Sequence, residues 1–328
     1  MKDFSLFTLN ANRSYSEAIA AHLNIGLAAH EEREFEDGEH KIRPLQSVRG
    51  HHVFVIASLY SDSHLSVNDK LCRLIMFTGA LRDASAREIT LVLPYLAYAR
   101  KDRRTQPRDP VSIRYLASII EAVGTDRVMT LEAHNPAAFE NAFRCVTEHL
   151  EALPLFIHYL SLTLGDAAKI TVVSPDTGGY KRAQKFRLAL SKAHQMEINS
   201  AFVEKLRSGG KLTHGRLVGT VNDSTVLIID DMIVSGSTLC HAAQSCKQNG
   251  ANKVIAIVTH GMFSEAANSV LDNPAIDEII ITDTVPPWRL NNPRVLNKLT
   301  VLKTAQFIAD AIQRVYSGES LTDLLTIE

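Results

Sequence analysis

Residues 226–238 read VLIIDDMIVSGST. Four apolar residues run straight into two adjacent carboxylates, Asp230 and Asp231, and the stretch closes on small hydroxyl residues around Gly236. The apolar, β-branched run is the pattern of a strand buried on both faces. Beyond Gly236, the helical spacing of Leu239, Ala242, Ala243 and Cys246, closed by Gly250, predicts a helix. A buried strand followed by a helix is the repeating unit of α/β architecture.

The same alternation extends outward. HVFVIAS near 52, ITLVLP at 89, RVMTLEA at 127, ITVVS at 170, KVIAIVT at 253 and DEIIIT at 277 read as further strands, and Ile113, Leu116, Ile120 and Val123, closed by Gly124, as another helix. Strands apolar on both faces imply mostly parallel sheets covered by helices. A length of 328 residues accommodates two such domains. The expected division is 1–154 and 155–328, near Pro154. The helix expected at about 304–316 is not assigned to a domain by pattern, and the N-terminal domain is one place for it.

Composition removes several classes. Hydrophobic residues make up 45% and charged residues 22%, as in globular proteins. Lysine plus arginine number 35 against 36 acidic residues, so the net charge of -1 offers no field for nucleic acid or an anionic membrane. Cys72, Cys145, Cys240 and Cys246 lack metal-binding spacing and read as reduced packing residues. No signal peptide or membrane span is evident, so the expected location is cytoplasmic.

Two charges at the end of a buried strand cost desolvation energy unless a ligand, a cation or hydrogen-bond donors take them up. In open parallel sheets, ligands bind beyond the carboxyl ends of the strands. Val234, Ser235, Gly236, Ser237 and Thr238 offer backbone N–H groups and hydroxyls at a helix N-terminus, a cradle for phosphate. Gly236 lets the backbone approach closely. Asp230 and Asp231 would repel that phosphate, so they suit sugar hydroxyls or a cation, and ribose 5-phosphate satisfies both halves. A lone D-x-x-x-S would instead be read as a capped strand end.

The whole motif resembles the phosphoribosyl-diphosphate-binding loop shared by type I phosphoribosyltransferases and phosphoribosyl-diphosphate synthetases. FEDGEHKIRPLQSVRGHHVFVIAS at 35–58, VNDKLCRLIMFTGALRDASAREITLVLPYLAYARKDRR at 67–104 and SPDTGGYKRAQKF at 174–186 separate the two, because they resemble the ribose-phosphate diphosphokinase family. That resemblance implies two type I phosphoribosyltransferase-like domains related by a pseudo-twofold, in a homo-oligomer. The implied reaction transfers the β,γ-diphosphoryl group of ATP to the 1-hydroxyl of ribose 5-phosphate, with Mg²⁺ as cofactor.

Residue by residue, the resemblance assigns Phe35, Asp37, Gly38 and Glu39 to ATP, reaching the site of a neighbouring subunit. Arg100, Lys101 and Asp102 also fall in the ATP-binding segment, although Lys101 stands where the family usually has glutamine. His134, in E-A-H where D-L-H is usual, and Asp176 are the implied metal ligands, one from each domain. Lys205 and Arg207, in FVEKLRSGGKLTHGR, are the implied catalytic cations. Val234 and Ser237 depart from the usual polar and small residues of the loop, which leaves pentose selectivity open. Two other readings are a phosphoribosyltransferase and a non-catalytic homologue that binds active subunits.

Overall fold

A computed structural model describes residues 4–165, 169–204 and 216–326, together with the backbone at 207–208 and 211–212. The chain divides into two compact units, Met1–Glu151 with Thr304–Leu324, and Ala152–Lys303 with Leu325–Glu328.

In the first unit the strands are β1 (Phe4–Thr8), β2 (His30–Glu34), β3 (His40–Pro44), β4 (His52–Ile56), β5 (Glu88–Leu93), β6 (Arg127–Leu131) and β7 (Val146–Leu150). Five of them form a parallel sheet in the order β1-β4-β5-β6-β7, while β2 and β3 pair only with each other as an antiparallel hairpin. All five residues of β4 are buried, as its apolar sequence requires. Helices α1 (Arg13–His22), α2 (Val67–Asp83), α3 (Ser112–Ala122) and α4 (Pro136–Ala142) belong to this unit. A capping box of Ser66 and Asp69 starts α2, and Gly124, at φ +97°, follows α3 as its helical spacing predicted. The closing helix Ala305–Ser317 joins this unit: it packs on α1, Tyr15 and Thr304 share a 2.6 Å hydrogen bond, and Phe4 meets Tyr316 at 4.7 Å between centroids.

The second unit carries α5 (Leu153–Thr163), α6 (Tyr180–His194) and α7 (Ser237–Gln248). Its strands are β8 (Ile170–Ser174), β9 (Asn199–Glu204), the short pair β10 (Arg207–Ser208) and β11 (Lys211–Leu212), β12 (Arg216–Val218), β13 (Thr225–Ile233), β14 (Lys253–Gly261), β15 (Glu278–Thr282) and β16 (Leu299–Leu302). Seven strands line up as β12-β9-β8-β13-β14-β15-β16, parallel except for β12 on β9. From β8 the chain crosses by α6 to β9 on one side, and from β13 it crosses by α7 to β14 on the other. The winding therefore reverses between β8 and β13, the topological switch point where α/β sheets open a crevice. The first sheet follows chain order without such a reversal.

Among the described residues, no helix is long and apolar enough to cross a membrane. All four cysteines are free thiols, and Cys240 and Cys246 are buried as packing residues.

Candidate functional site

The switch point of the second unit gathers the opening motif. Strand β13 pairs with β8 only from Thr225 to Ile228, but with β14 as far as Ile233. Asp230 and Asp231 thus lie within the strand rather than at its end, beyond the last rung with β8. Asp231 is 3% exposed, and its backbone N–H donates to Asp230 Oδ1 at 2.9 Å. Burial, followed by the Asp231 charge, pushes the Asp230 carboxyl up to about 7.

Arg182 of α6 answers this pair. Its Nη1 lies 3.4 Å from Asp230 Oδ1 and 3.3 Å from Asp231 Oδ1. Of the partners that could take up the two charges, a cation from the chain itself is present: one guanidinium faces both. Sequence reasoning gave Arg182 no role; the signal available was that a buried acid pair demands a cation and that SPDTGGYKR ends on one.

The loop after β13 is held by the chain beside it. Ile233 O accepts from the Phe263 N–H at 3.1 Å and Val234 O from Ser264 at 2.8 Å, while the Val234 side chain stays exposed. Gly236 takes φ +83°, and an added Cβ there would lie 2.4 Å from Leu271 Cδ2. Glycine is thus required by the turn and by protein packing, besides any approach of a ligand. As N-cap of α7, Gly236 brings no side chain to the first-turn N–H groups, and the Ser235 hydroxyl reaches only that of Ser237, at 3.4 Å. Ser235 and Ser237 hydroxyls are 3.0 Å apart, and Thr238 is half-buried in the first turn. Uncapped N–H groups beside hydroxyls form an anion site.

Across the crevice, Asp176 follows β8. Its Oδ1 accepts the N–H groups of Gly178 and Gly179 at 2.9 and 3.1 Å, fixing the turn into α6. The carboxylate is therefore already an Asx-type turn former, the structural alternative for this residue.

In the first unit, the loops after β5 and β6 carry the other expected residues. Arg100 is exposed. Lys101 donates to Thr105 at 3.0 Å and to Asp109 at 2.6 Å, and the latter bond, with the Thr105 hydroxyl and the Thr105 and Gln106 N–H groups, holds the Asp109 carboxyl far below its usual range. Lys101 is thereby engaged in shaping its own loop. Asp102 accepts from Asn135 Nδ2 at 2.7 Å, and Asn135 caps α4 next to His134. The two loops are joined because β5 and β6 are neighbours. Each also holds a non-glycine residue in the left-handed region, Tyr98 at φ +62° and Glu132 at φ +52°, local strain of the kind concentrated at binding loops.

Phe35, Asp37, Gly38 and Glu39 form the exposed tip of the β2–β3 hairpin. Phe35 N–H donates to Glu39 O at 2.7 Å, Gly38 takes φ +86°, and the Arg33 guanidinium sits 5.2 Å from the Phe35 centroid. Lys205 lies outside the described residues, as does the side chain of Arg207, whose backbone in β10 pairs with Leu212 of β11.

Among the described residues, no three His, Cys, Asp or Glu side chains gather as a metal cage. His134 lies in the first unit and Asp176 in the second. The Asp176 carboxylate suits an ion that keeps several waters and arrives on a substrate's phosphates, the usual manner of Mg²⁺, for which the His134 imidazole is a less usual donor.

The model of the N-terminal domain of ribose phosphate pyrophosphokinase matches residues 4–124, and that of the phosphoribosyl synthetase-associated domain matches residues 179–326. The chain is 33% identical over 329 residues to ribose-phosphate pyrophosphokinase 1 of Streptococcus pneumoniae serotype 4, covering 99% of this chain and 98% of that protein. It is 33% identical over 325 residues to the protein of the same name from Streptococcus pyogenes, covering 98% and 97%. The crystal structure of phosphoribosylpyrophosphate synthetase from Mycobacterium smegmatis matches with a TM-score of 0.85 at 31% identity, over 96% of this chain and 99% of that one.

Proposed function

Because the chain belongs to the ribose-phosphate pyrophosphokinase family, we propose that it transfers the β,γ-diphosphoryl group of ATP to the 1-hydroxyl of ribose 5-phosphate, releasing AMP and 5-phosphoribosyl 1-diphosphate. The observation that carries this reading is the acid pair Asp230–Asp231 standing before the uncapped N-terminus of α7 at the switch point. The carboxylates accept hydrogen bonds from the ribose hydroxyls, Arg182 favours their charged form and orients them, and residues 234–238 take the 5-phosphate.

Phe35, Asp37 and Glu39 recognise ATP from the hairpin tip, and their exposure favours a site on a neighbouring copy in a homo-oligomer. Arg100 binds phosphate oxygens through its fixed fork, and Asp102 orders the loop beside it. Lys205 and Arg207 face the phosphoryl oxygens in the transition state. Magnesium, when bound with ATP, neutralises part of the phosphoryl charge. His134 and Asp176 are each assigned as one of its ligands. The free thiols and the family fit a cytoplasmic setting.

Phosphorus NMR of the protein with Mg²⁺, ATP and ribose 5-phosphate tests the reaction: AMP and an anomeric diphosphate are expected together. No turnover, coupled with consumption of phosphoribosyl diphosphate in the presence of a nucleobase, would turn the reading to a phosphoribosyltransferase. His134→Ala is expected to raise the Mg²⁺ concentration needed for half-maximal velocity several-fold. An unchanged magnesium titration would leave His134 as a structural residue at a strand end.

A further inference from the structure

Among the described residues, the β2–β3 hairpin has no hydrogen-bonded strand neighbour. Two strands alone are marginally stable, so side-chain contacts must set the direction in which the hairpin points. Its base is anchored in the core: the His30 side chain is 1% exposed, and Ile42 is buried. Toward the tip, Arg33 and Lys41 are exposed, and a cavity of about 390 Å³ opens alongside, lined by Asn10, Asp62 and His64 among others.

Arg73 of α2 spans that gap. Its side chain is 10% exposed, Nη1 donates to Glu32 Oε1 at 3.1 Å, and Nη2 donates to Glu34 Oε2 at 2.7 Å. Glu32 and Glu34 are two apart on one strand and so share a face. The Glu32 side chain is 2% exposed and takes the Asn10 N–H at 2.8 Å with its other oxygen. Glu34 pairs with His40 on the last rung before the tip. The guanidinium is thus a two-point brace from a long helix to the foot of the Phe35–Glu39 loop.

We infer that Arg73 is a positioning residue for the nucleotide, fixing through Glu32 and Glu34 the angle at which the hairpin presents Phe35, Asp37 and Glu39. This rests on the proposal that the hairpin tip binds ATP, and a Phe35→Ala control separates the two. A lysine at 73 keeps the charge but loses the planar fork. The Glu34 side chain is 58% exposed, so Glu34→Gln removes the charge that strengthens the outer bond without threatening the fold.

Steady-state kinetics and melting of the full chain test the brace. Glu34→Gln is expected to raise the KM for ATP roughly 3-fold and Arg73→Lys roughly 5-fold, the scale of partly exposed ion pairs. The double variant should be no worse than Arg73→Lys, since one brace is lost either way. In each, kcat and the KM for ribose 5-phosphate should stay within about twofold, a split that a general loss of structure would not give. If Phe35→Ala raises the KM for ATP but neither brace variant does, the brace is rejected and the ATP reading of the tip stands. If Phe35→Ala leaves that KM unmoved, the tip does not bind ATP and the inference falls with it. Should Arg73→Lys fail to fold, Glu34→Gln decides alone; equal changes in kcat and both KM values would make the role merely structural.

Discussion

Replacing Lys205 by alanine is expected to lower kcat by at least ~100-fold, the scale of removing one preorganised donor from developing negative charge. Diphosphoryl transfer spreads charge over phosphoryl oxygens and demands little covalent chemistry from the protein, so positioned cations carry much of the acceleration. The KM for either substrate should change little, because the contact strengthens only as the transition state forms. Steady-state kinetics with both substrates checks this. A near-normal kcat would remove Lys205, and with it the assignment of Arg207 by the same K-x-R spacing, from the catalytic machinery.

Asp230→Asn is expected to raise the KM for ribose 5-phosphate by roughly 10-fold or more, the ~1.5 to 3 kcal/mol of a hydrogen bond to a charged group. The amide keeps the shape of the carboxylate but removes the charge that Arg182 and a sugar hydroxyl both address. The KM for ATP should stay nearly constant; the reverse pattern would mean the two substrates are exchanged at this loop.

The same substitution has a stability consequence with a definite sign. An acid whose pKa rises on folding, here from 3.8 to about 7, holds more protons folded than unfolded between those values. Its contribution to stability therefore falls as pH climbs through that window and stays at the lower level above it. Asp230→Asn escapes this loss. The ligand-free variant should melt several degrees higher than the parent at about pH 8, with a difference that shrinks toward about pH 5. A pH-independent difference would show that Asp230 titrates normally in the folded protein.

Where a residue's environment is made by its own segment, the sequence was sufficient. The β-branched runs at 53–56, 89–93 and 254–258 have no favourable place except a buried strand, and α3 and α7 stop where glycines 124 and 250 stand at positive φ. The hairpin HEERE–HKIRP escaped that reading because six of its ten residues are formally charged and its shielding comes from elsewhere. Glu32 is buried by Arg73, 41 residues away, and by the backbone of Asn10, 22 residues away.

The site divides along the same line. The acid pair, the small-residue loop and the following helix are contiguous, so the motif at 226–238 could be read as a candidate ribose phosphate cradle from the sequence alone. Arg182 is 48 residues from Asp230 and meets it only because β8 and β13 pair in parallel and reverse the winding between them. Gly236 could be marked as special from its neighbours, but the Leu271 side chain that excludes a Cβ comes from beyond β14. The amphipathic closing helix was legible as a helix, while its place on α1 depends on contacts such as Tyr15–Thr304, 289 residues apart. Local spacing determined the element types and the chemistry of the contiguous motif. The tertiary structure decided which distant charge neutralises which carboxylate, because a Coulomb or hydrogen-bond partner is chosen by distance in space and not by separation along the chain.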